Sequence, residues 1–533
     1  MRKLLLTSLA LSSIFWSNAE SFTAGDLTYS ILNDVADGEH MVEVAQSEDY
    51  VNFDEIAIPS AIEYEGISYK VAGISASAFI YASEMTSITL PEGLEYIADN
   101  AFSGNAMLTS VSLPLSLKSI GTGAFQSCTS LTEITLPPAL TELGNNAFSN
   151  CSNLTKAVMP ETLDAIPDAL FFNDTKLSEV TLPKEFGKVG NLAFYLCDLT
   201  GEITLPAGVV SIGRGAFSGN KNLSSVNFPK NLNEIGVSAF TNCYALTAIN
   251  LSDFSGTLGE NAFENCISVT DIKLNPSILE LPQSLFAGCA GLKNITIPEG
   301  FKLIDDRTFF GCSSLEYIEI PSTVTEIGVR SFSGCTSLKE VNFTTDELMI
   351  REGAFENDYS LTDVYFKGVK EIGADAFAHC SSLAWIQLSP KIEYIDSHAF
   401  EDCPSLLRIY CEAEMPPVIN ISTFDSTTEK NATLMVGLGC KERYHMAAYW
   451  ARFNNVEETN DFPCDTGNVG IELVKISVVD SELSILLDMP GSVEIYSLDG
   501  NQVANTLTSD FRMHLQQGIY IVRVGEVVKK III

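Results

Sequence analysis

The chain has 533 residues, more than the usual size of a single hydrophobic core, so it forms either several domains or one extended repeat array. Its 68 acidic and 31 basic residues leave a formal charge of −37. A surface of that sign repels phosphate backbones and anionic lipid, which excludes nucleic acid as an expected partner.

The N-terminus has the three parts of a secretory signal: a basic start at Arg2 and Lys3, an apolar run from Leu4 to Trp16, and small residues ending at Ala19. We predict that residues 1–19 are a signal peptide that is cleaved after Ala19. The apolar run is shorter than a bilayer span of about 20 residues, and no later segment reaches that length. We therefore expect no transmembrane anchor, and a mature chain that is secreted or lies on the outer cell surface.

Residues 20–68 are predicted to be an N-terminal capping segment, and residues 69–456 are predicted to be repeats. The repeats are marked by a phenylalanine that recurs every 23 residues from Phe79 to Phe355, followed by steps of 22, 23 and 24. The series is Phe79, Phe102, Phe125, Phe148, Phe171, Phe194, Phe217, Phe240, Phe263, Phe286, Phe309, Phe332, Phe355, Phe377, Phe400 and Phe424. A unit this short cannot bury its apolar face alone, so consecutive units must stack and share one core, with these rings as its spine.

Each unit contains one clear strand signal. In the unit of Phe125, Ile134 and Leu136 alternate with polar residues, and Pro137 follows them where its missing N–H costs no ladder bond. A glycine often stands four residues before the phenylalanine, as Gly213 does, where either a positive φ or a close backbone approach would favour it.

The unit Ala-Phe-x-x-Cys-x-x-Leu resembles the BspA-like class of bacterial leucine-rich repeats over roughly residues 60 to 456. Residues 431–457 are similar to the closing segment of that family. The resemblance implies a curved repeat solenoid, mostly β with short helical turns, with parallel strands on the concave face. It also implies a surface or secreted protein with a role in adhesion.

Ten of the 13 cysteines stand three residues after the repeat phenylalanine. They are Cys128, Cys151, Cys197, Cys243, Cys266, Cys289, Cys312, Cys335, Cys380 and Cys403. In four other units this place holds Asn105, Asp174, Asn220 or Asp358, so a small hydrogen-bonding side chain is what the position requires. We interpret the column as a ladder of reduced thiols; disulfides or a metal array are the alternatives. Cys440 and Cys464 stand outside the ladder, either paired or free.

The outward strand positions are where a ligand would select side chains. In the late units we predict that they carry aromatic and basic residues, the types that anchor interfaces: Lys293, Tyr317, Lys339, Tyr365, Trp385, Arg408 and Tyr410. The alternative is that β propensity alone explains rings on a sheet.

No catalytic motif accompanies the five histidines, so we expect a non-enzymatic protein with no cofactor and no metal. We predict a monomer that binds a protein or glycan outside the cell through its concave sheet, in the manner of an adhesin. The alternative is a structural spacer or coat component without a specific ligand.

The repeat ends before a predicted linker at residues 457–467, and residues 468–533 are predicted to form a small β-sandwich. The alternating stretch Val493 to Val503, the strand Gly518 to Val524 and the final Lys529-Lys530-Ile531 resemble a type IX secretion C-terminal sorting domain. That resemblance implies the type IX secretion machinery as a partner and export across the outer membrane.

Overall fold

The computed structural model describes residues 20–32, 39–463, 475–479, 482–497, 502–514, 519–524 and 527–532. The predicted signal peptide and Cys464 lie outside these residues. The chain divides into two compact units, the N-terminal unit of residues 1–315 and the C-terminal unit of residues 316–533. Each unit is built mainly from stacked turns of one repeat, and the predicted repeat solenoid is confirmed.

A turn of the N-terminal unit contributes one strand to each of two parallel ladders. The first ladder, which we call the A ladder, uses the predicted Ile-x-Leu strand, because alternation there buries every second side chain. Its strands are β4 (Glu55–Ala57), β7 (Ser87–Thr89), β9 (Ser110–Ser112), β11 (Glu133–Thr135), β13 (Lys156–Val158), β15 (Glu179–Thr181), β17 (Gly201–Thr204), β19 (Leu223–Asn227), β21 (Ala248–Asn250) and β23 (Asp271–Lys273).

The second ladder, the B ladder, begins with the eight-residue strand β6 and continues with two-residue strands shortly before the glycine corner. Its strands in this unit are β6 (Ile67–Ile74), β8 (Tyr96–Ile97), β10 (Ser119–Ile120), β12 (Glu142–Leu143), β14 (Ala165–Ile166), β16 (Lys188–Val189), β18 (Ser211–Ile212), β20 (Glu234–Ile235), β22 (Thr257–Leu258), β24 (Glu280–Leu281) and β25 (Leu303–Ile304). Neighbouring turns pair in register, as Ser119 does with Glu142.

The first turn is covered by an antiparallel group of strands, β1 (Ser21–Ala24), β2 (Leu27–Ile31), β3 (Met41–Val44) and β5 (Ala61–Tyr64), with a 3-10 helix at Glu48–Asn52. β3 pairs with β6 and so continues the B ladder. The ring of Tyr50 stacks on Phe79 at a centroid distance of 5.1 Å. An aromatic side chain of the N-terminal segment therefore covers the open end of the phenylalanine column.

The repeat phenylalanines form one stacked column within each unit. Phe79 and Phe102 have ring centroids 5.1 Å apart, and Phe355 and Phe377 have centroids 5.0 Å apart. The backbone beside the rings is also joined between turns, since the N–H of Phe102 donates to the carbonyl of Ala124 at 2.7 Å. The column is buried throughout, as the sequence predicts.

The glycine four residues before the phenylalanine is required because the backbone of the preceding turn approaches it closely, and not because its φ is positive. A Cβ on Gly213 would lie 2.6 Å from the backbone nitrogen of Asn191 in the preceding turn. Positive φ occurs instead two residues before and two residues after the phenylalanine, as at Asn146 and Asn150 around Phe148. Asparagine adopts this conformation more readily than most residues, which explains its frequency there.

The C-terminal unit continues the same repeat with longer A strands. These are β26 (Tyr317–Ile320), β28 (Glu340–Phe343), β30 (Asp363–Phe366), β32 (Trp385–Leu388), β34 (Arg408–Cys411), β36 (Thr433–Gly437) and β37 (Asn455–Thr459). The B strands are β27 (Glu326–Ile327), β29 (Leu348–Ile350), β31 (Val369–Ile372), β33 (Tyr394–Ile395) and β35 (Val418–Ile419). Strand β37 continues to Thr459, past the start of the predicted linker at residue 457.

Two short helices and a 3-10 turn close the last repeat: α1 (Ser426–Asn431), α2 (Lys441–Met446) and Trp450–Arg452. The indole of Trp450 is fully buried and donates from Nε1 to the carbonyl of Pro417 at 2.8 Å. Trp450 and Phe453 pack on Phe424, with ring centroids 5.9 and 5.4 Å away. The end of the phenylalanine column is thus covered by aromatic side chains.

The tail strands are β38 (Lys475–Val479), β39 (Glu482–Ser497), β40 (Gln502–His514), β41 (Ile519–Val524) and β42 (Val527–Ile532). They form one antiparallel sheet in which β39 pairs with β38, β40 and β41. The register between β39 and β40 shifts between Leu486 and Gly491. This segment is all-β, but its described strands belong to a single hydrogen-bonded sheet, so the structure agrees only in part with the predicted β-sandwich. No helix in the described part of the chain is long and apolar enough to cross a membrane.

Candidate ligand-binding face

The outward face of the A ladder in the C-terminal unit is the candidate site. Residues at the first and third positions of each strand point away from the core, because the second and fourth positions, such as Ile386 and Leu388, are buried in it. Strand pairing aligns Trp385 with Arg408, and Gln387 with Tyr410. We call these two rows of side chains the strand face.

Trp385 and Tyr410 pack against each other rather than standing side by side in solvent. Their ring centroids are 6.0 Å apart and the ring planes are nearly perpendicular, an edge-to-face contact. Tyr410 is only 9% exposed, so the prediction that it stands on the surface as an anchor is wrong. Trp385 remains half-buried and accessible. The physical reason is that Tyr410 lies between two neighbouring strands, with Trp385 in edge-to-face contact from one and Met435 opposite it on the other.

Gln387 lies between Tyr365 and Tyr410 in the third-position row and is fully buried. Its amide donates to Oε1 of Glu412 at 2.8 Å. Tyr365 lies opposite Gln387 on the preceding strand and is half-buried. Tyr365, Gln387 and Tyr410 therefore form a packed floor beside Trp385.

Two carboxyl groups lie on the same face, and the sequence analysis missed them. Burial, and then the charge of Asp363, raise the pKa of Glu340, although its side chain still reaches solvent. Burial also raises the pKa of Asp363, whose carboxylate accepts from the hydroxyl of Thr362 at 2.8 Å. Glu340 and Asp363 stand at the same strand position as Trp385. The alternation of buried and outward residues that identifies Trp385 therefore identifies these two acids as well.

The remaining predicted residues differ in their settings. Tyr317 is 37% exposed, and its hydroxyl donates to Glu319 at 3.1 Å. Lys339 is exposed, directly precedes β28 and pairs with Glu316 at 3.0 Å. Arg408 is exposed at the first position of β34. Lys293 is exposed, belongs to the N-terminal unit and, like Lys339, lies outside the strands.

The cysteine column is interior to both units. All ten predicted rungs are buried and unbridged, as are Cys411 and Cys440. The thiol of Cys128 donates to the carbonyl of Phe102 at 3.3 Å, and Cys266 donates to Phe240 in the same way at 3.3 Å. Burial raises the pKa of Cys128 to about 12, so the thiol stays protonated near neutral pH and can act as a donor.

The asparagine rungs replace the thiol as donors. The amide of Asn105 donates to the carbonyl of Phe79 at 2.9 Å, and that of Asn220 donates to Phe194 at 2.7 Å. The aspartate rungs are ionisable acids in the same buried place. Burial raises the pKa of both Asp174 and Asp358 well above the usual range, and backbone N–H groups nearby oppose that rise.

Comparison with family models agrees with this architecture. The family model described as "BspA type Leucine rich repeat region (6 copies)" matches residues 72–200, 188–316 and 302–429. A leucine-rich cell surface protein from Faecalibacterium prausnitzii is 29% identical over 62% of this chain and 96% of its own, with a TM-score of 0.45. A leucine-rich repeat protein from Bacteroides ovatus is 25% identical over 73% of this chain and 94% of its own, with a TM-score of 0.49.

The curated proteins include no match to the chain. The three family matches overlap one another and together run from residue 72 to residue 429, which is more than half of the sequence. The chain belongs to the BspA-type leucine-rich repeat family.

Proposed function

We propose that the chain is an exported, non-enzymatic binding protein, an adhesin that holds a host or neighbouring-cell protein or glycan on the strand face of its C-terminal unit. The observation that supports this proposal is the accessible indole of Trp385 resting on Tyr410, with Arg408 beside it and two carboxyl groups on the same face. Tryptophan, tyrosine and arginine dominate binding energy at protein interfaces. Aromatic rings also offer an apolar surface for stacking.

The support beneath Trp385 favours binding for a second reason. Its edge-to-face contact with Tyr410 restricts the rotamers of the indole before a ligand arrives. Immobilising a free side chain on binding costs about 0.5–1.5 kcal/mol, so a ring that is already held loses less on association. The carboxyl groups of Glu340 and Asp363 supply hydrogen-bonding partners for the polar groups of a ligand.

Export is proposed from the two ends of the sequence. The basic, apolar and small-residue segments of residues 1–19 direct secretion, and the segment 468–533 resembles a sorting domain. Deleting residues 468–533 should leave the repeats folded while the protein accumulates in the periplasm instead of at the surface. Normal surface display of the truncated chain would overturn the sorting proposal.

The binding proposal is tested by screening the chain without its predicted leader against matrix proteins and glycans. Trp385→Ala should weaken the selected interaction by more than about 1 kcal/mol, or roughly fivefold, which is the usual threshold for an interface anchor. Tyr359→Ala is the matched control, because Tyr359 is an exposed aromatic residue of the same unit that lies outside the A strands.

Equal binding by parent and Trp385→Ala, with both folded, would show that the strand face does not carry recognition. Failure of the parent to bind any member of a broad panel would instead support the spacer function.

A further inference from the structure

A second group of side chains lies beside the phenylalanine column of the C-terminal unit, on the corner of the repeat rather than on the strand face. Asp375 stands two residues before Phe377, His398 stands two residues before Phe400, and Glu401 follows Phe400 directly. One potential ligand atom from each of Asp375, His398 and Glu401 lies within 4.8 Å of the other two. Sequence analysis could not select them, because Asp375 and His398 are a full turn apart and no metal-binding spacing joins them.

The backbone holds these positions firmly. The N–H of Asp375 donates to the carbonyl of Ser397 at 3.1 Å, and that of His398 donates to Ser422 at 2.9 Å. Phe377 and Phe400, which neighbour the cluster in the sequence, are fully buried in the core with ring centroids 5.6 Å apart. The three side chains therefore converge from a rigid support, and only their own rotamers need to adjust to close on a ligand.

An earlier pair of turns has an ion pair at the positions equivalent to Asp375 and Glu401. Arg330, two residues before its phenylalanine, pairs with Glu356, one residue after the phenylalanine of the next turn, at 3.5 Å. Asp375 and Glu401 have this same relation, so a carboxylate occupies the place that arginine holds in the earlier pair. Two carboxylates that face each other repel unless a cation lies between them.

The donor set indicates which cation. One imidazole nitrogen with two carboxylate oxygens suits zinc and similar divalent transition metals, whereas calcium and magnesium prefer oxygen ligands alone. Zinc bonds of about 2.0–2.2 Å in tetrahedral geometry place ligand atoms about 3.4 Å apart. The three ligand atoms already lie within 4.8 Å of one another, so reaching that separation needs only side-chain movement, and the Glu401 side chain is exposed.

We propose that Asp375, His398 and Glu401 bind a divalent transition metal ion, with Zn²⁺ as the reference ion. Three protein ligands leave a fourth position open, which water or a carboxylate of another molecule fills. The strongly negative net charge raises the local concentration of cations and favours occupancy.

The experiment is a titration of the full chain with buffered Zn²⁺, read both by competition with a chromophoric chelator and by the melting temperature. The parent should bind one ion that His398→Ala binds at least about tenfold more weakly, and Zn²⁺ should raise the melting temperature of the parent but not that of His398→Ala. Asp375→Asn, which preserves side-chain size, should also weaken binding.

His379→Ala is the matched control. His379 lies two residues after Phe377 and pairs with Asp402 at 3.2 Å, so the variant removes a nearby histidine–carboxylate pair and leaves the three ligands in place. It should bind Zn²⁺ like the parent. Equal affinity of the parent and His398→Ala, or no binding by the parent, overturns the proposal. Measuring the metal alone, without any adhesion ligand, keeps this result separate from the function of the strand face.

Discussion

The two units use one repeat to build two different outward faces. In the N-terminal unit most A strands have three residues, and hydroxyl side chains beside them donate to the preceding turn, as Thr155 does to the carbonyl of Thr132 at 3.1 Å. In the C-terminal unit the A strands have four or five residues and carry rings, acids and a guanidinium. The outward positions of the N-terminal strands also include acids and lysines, such as Glu133 and Lys156, so the rings and the guanidinium are what distinguish the C-terminal face.

The largest test of this comparison removes a ring from each phenylalanine column. Phe217→Ala and Phe377→Ala should each cost about 3–5 kcal/mol, the usual loss for a buried phenylalanine. Because each turn contacts mainly its neighbours, we expect faster amide hydrogen exchange in the turns around the substitution. If either variant accelerated amide hydrogen exchange equally in both units, the two units would unfold together as one cooperative block.

Both units contain the cysteine column, and a substitution in it tests this shared feature. Cys266→Leu should lose about 1–3 kcal/mol because the side chain overfills the place in which the thiol donates to the carbonyl of Phe240. Cys266→Ser should be tolerated better, since it retains a small donor. Urea unfolding of the two variants would check this order, and equal stability would contradict the ladder.

The aspartate rungs should make both units sensitive to rising pH. Because burial raises the folded-state pKa of Asp174 and Asp358, the protonated rung contributes its full stability below the unfolded-state pKa of about 3.9. That contribution is lost as the pH rises through the folded-state pKa, by up to about 1.4 kcal/mol per pH unit for one group. Asp174→Asn or Asp358→Asn should flatten the dependence, as measured by urea midpoints between pH 4 and 9. Parallel curves for parent and variants would reject this account.

The smallest expected effect lies on the face of the N-terminal unit. Thr155→Val removes an exposed hydrogen bond and should cost about 0.5 kcal/mol or less, with no effect on ligand binding. Thr89→Ala and Thr135→Ala should likewise leave binding unchanged. If these changes weaken binding as much as Trp385→Ala, the strand face of the C-terminal unit is not the site of recognition.

Sequence periodicity predicted the repeat because a 23-residue step with a buried ring allows few other structures. It also pointed to Trp385, which is half-buried at the first position of β32. Periodicity did not predict the burial of Tyr410. Alternation indicates the direction in which a side chain points, whereas its exposure also depends on which side chains of the neighbouring strands pack against it. The proximity of Asp375 to His398 was equally out of reach, since it depends on how one turn is placed over the next.

The placement of the indoles has a practical consequence. Beyond the predicted leader the chain contains two tryptophans, Trp385 and Trp450, and both belong to the C-terminal unit. Trp385 is accessible to solvent, whereas Trp450, which belongs to the closing segment, is fully buried. Intrinsic fluorescence excited in the indole band therefore reports on one half of the molecule without a label. A soluble collisional quencher such as iodide should quench the fluorescence of Trp385 before that of Trp450. Ligand binding would then be followed through Trp385, and local unfolding through the exposure of Trp450 to the quencher.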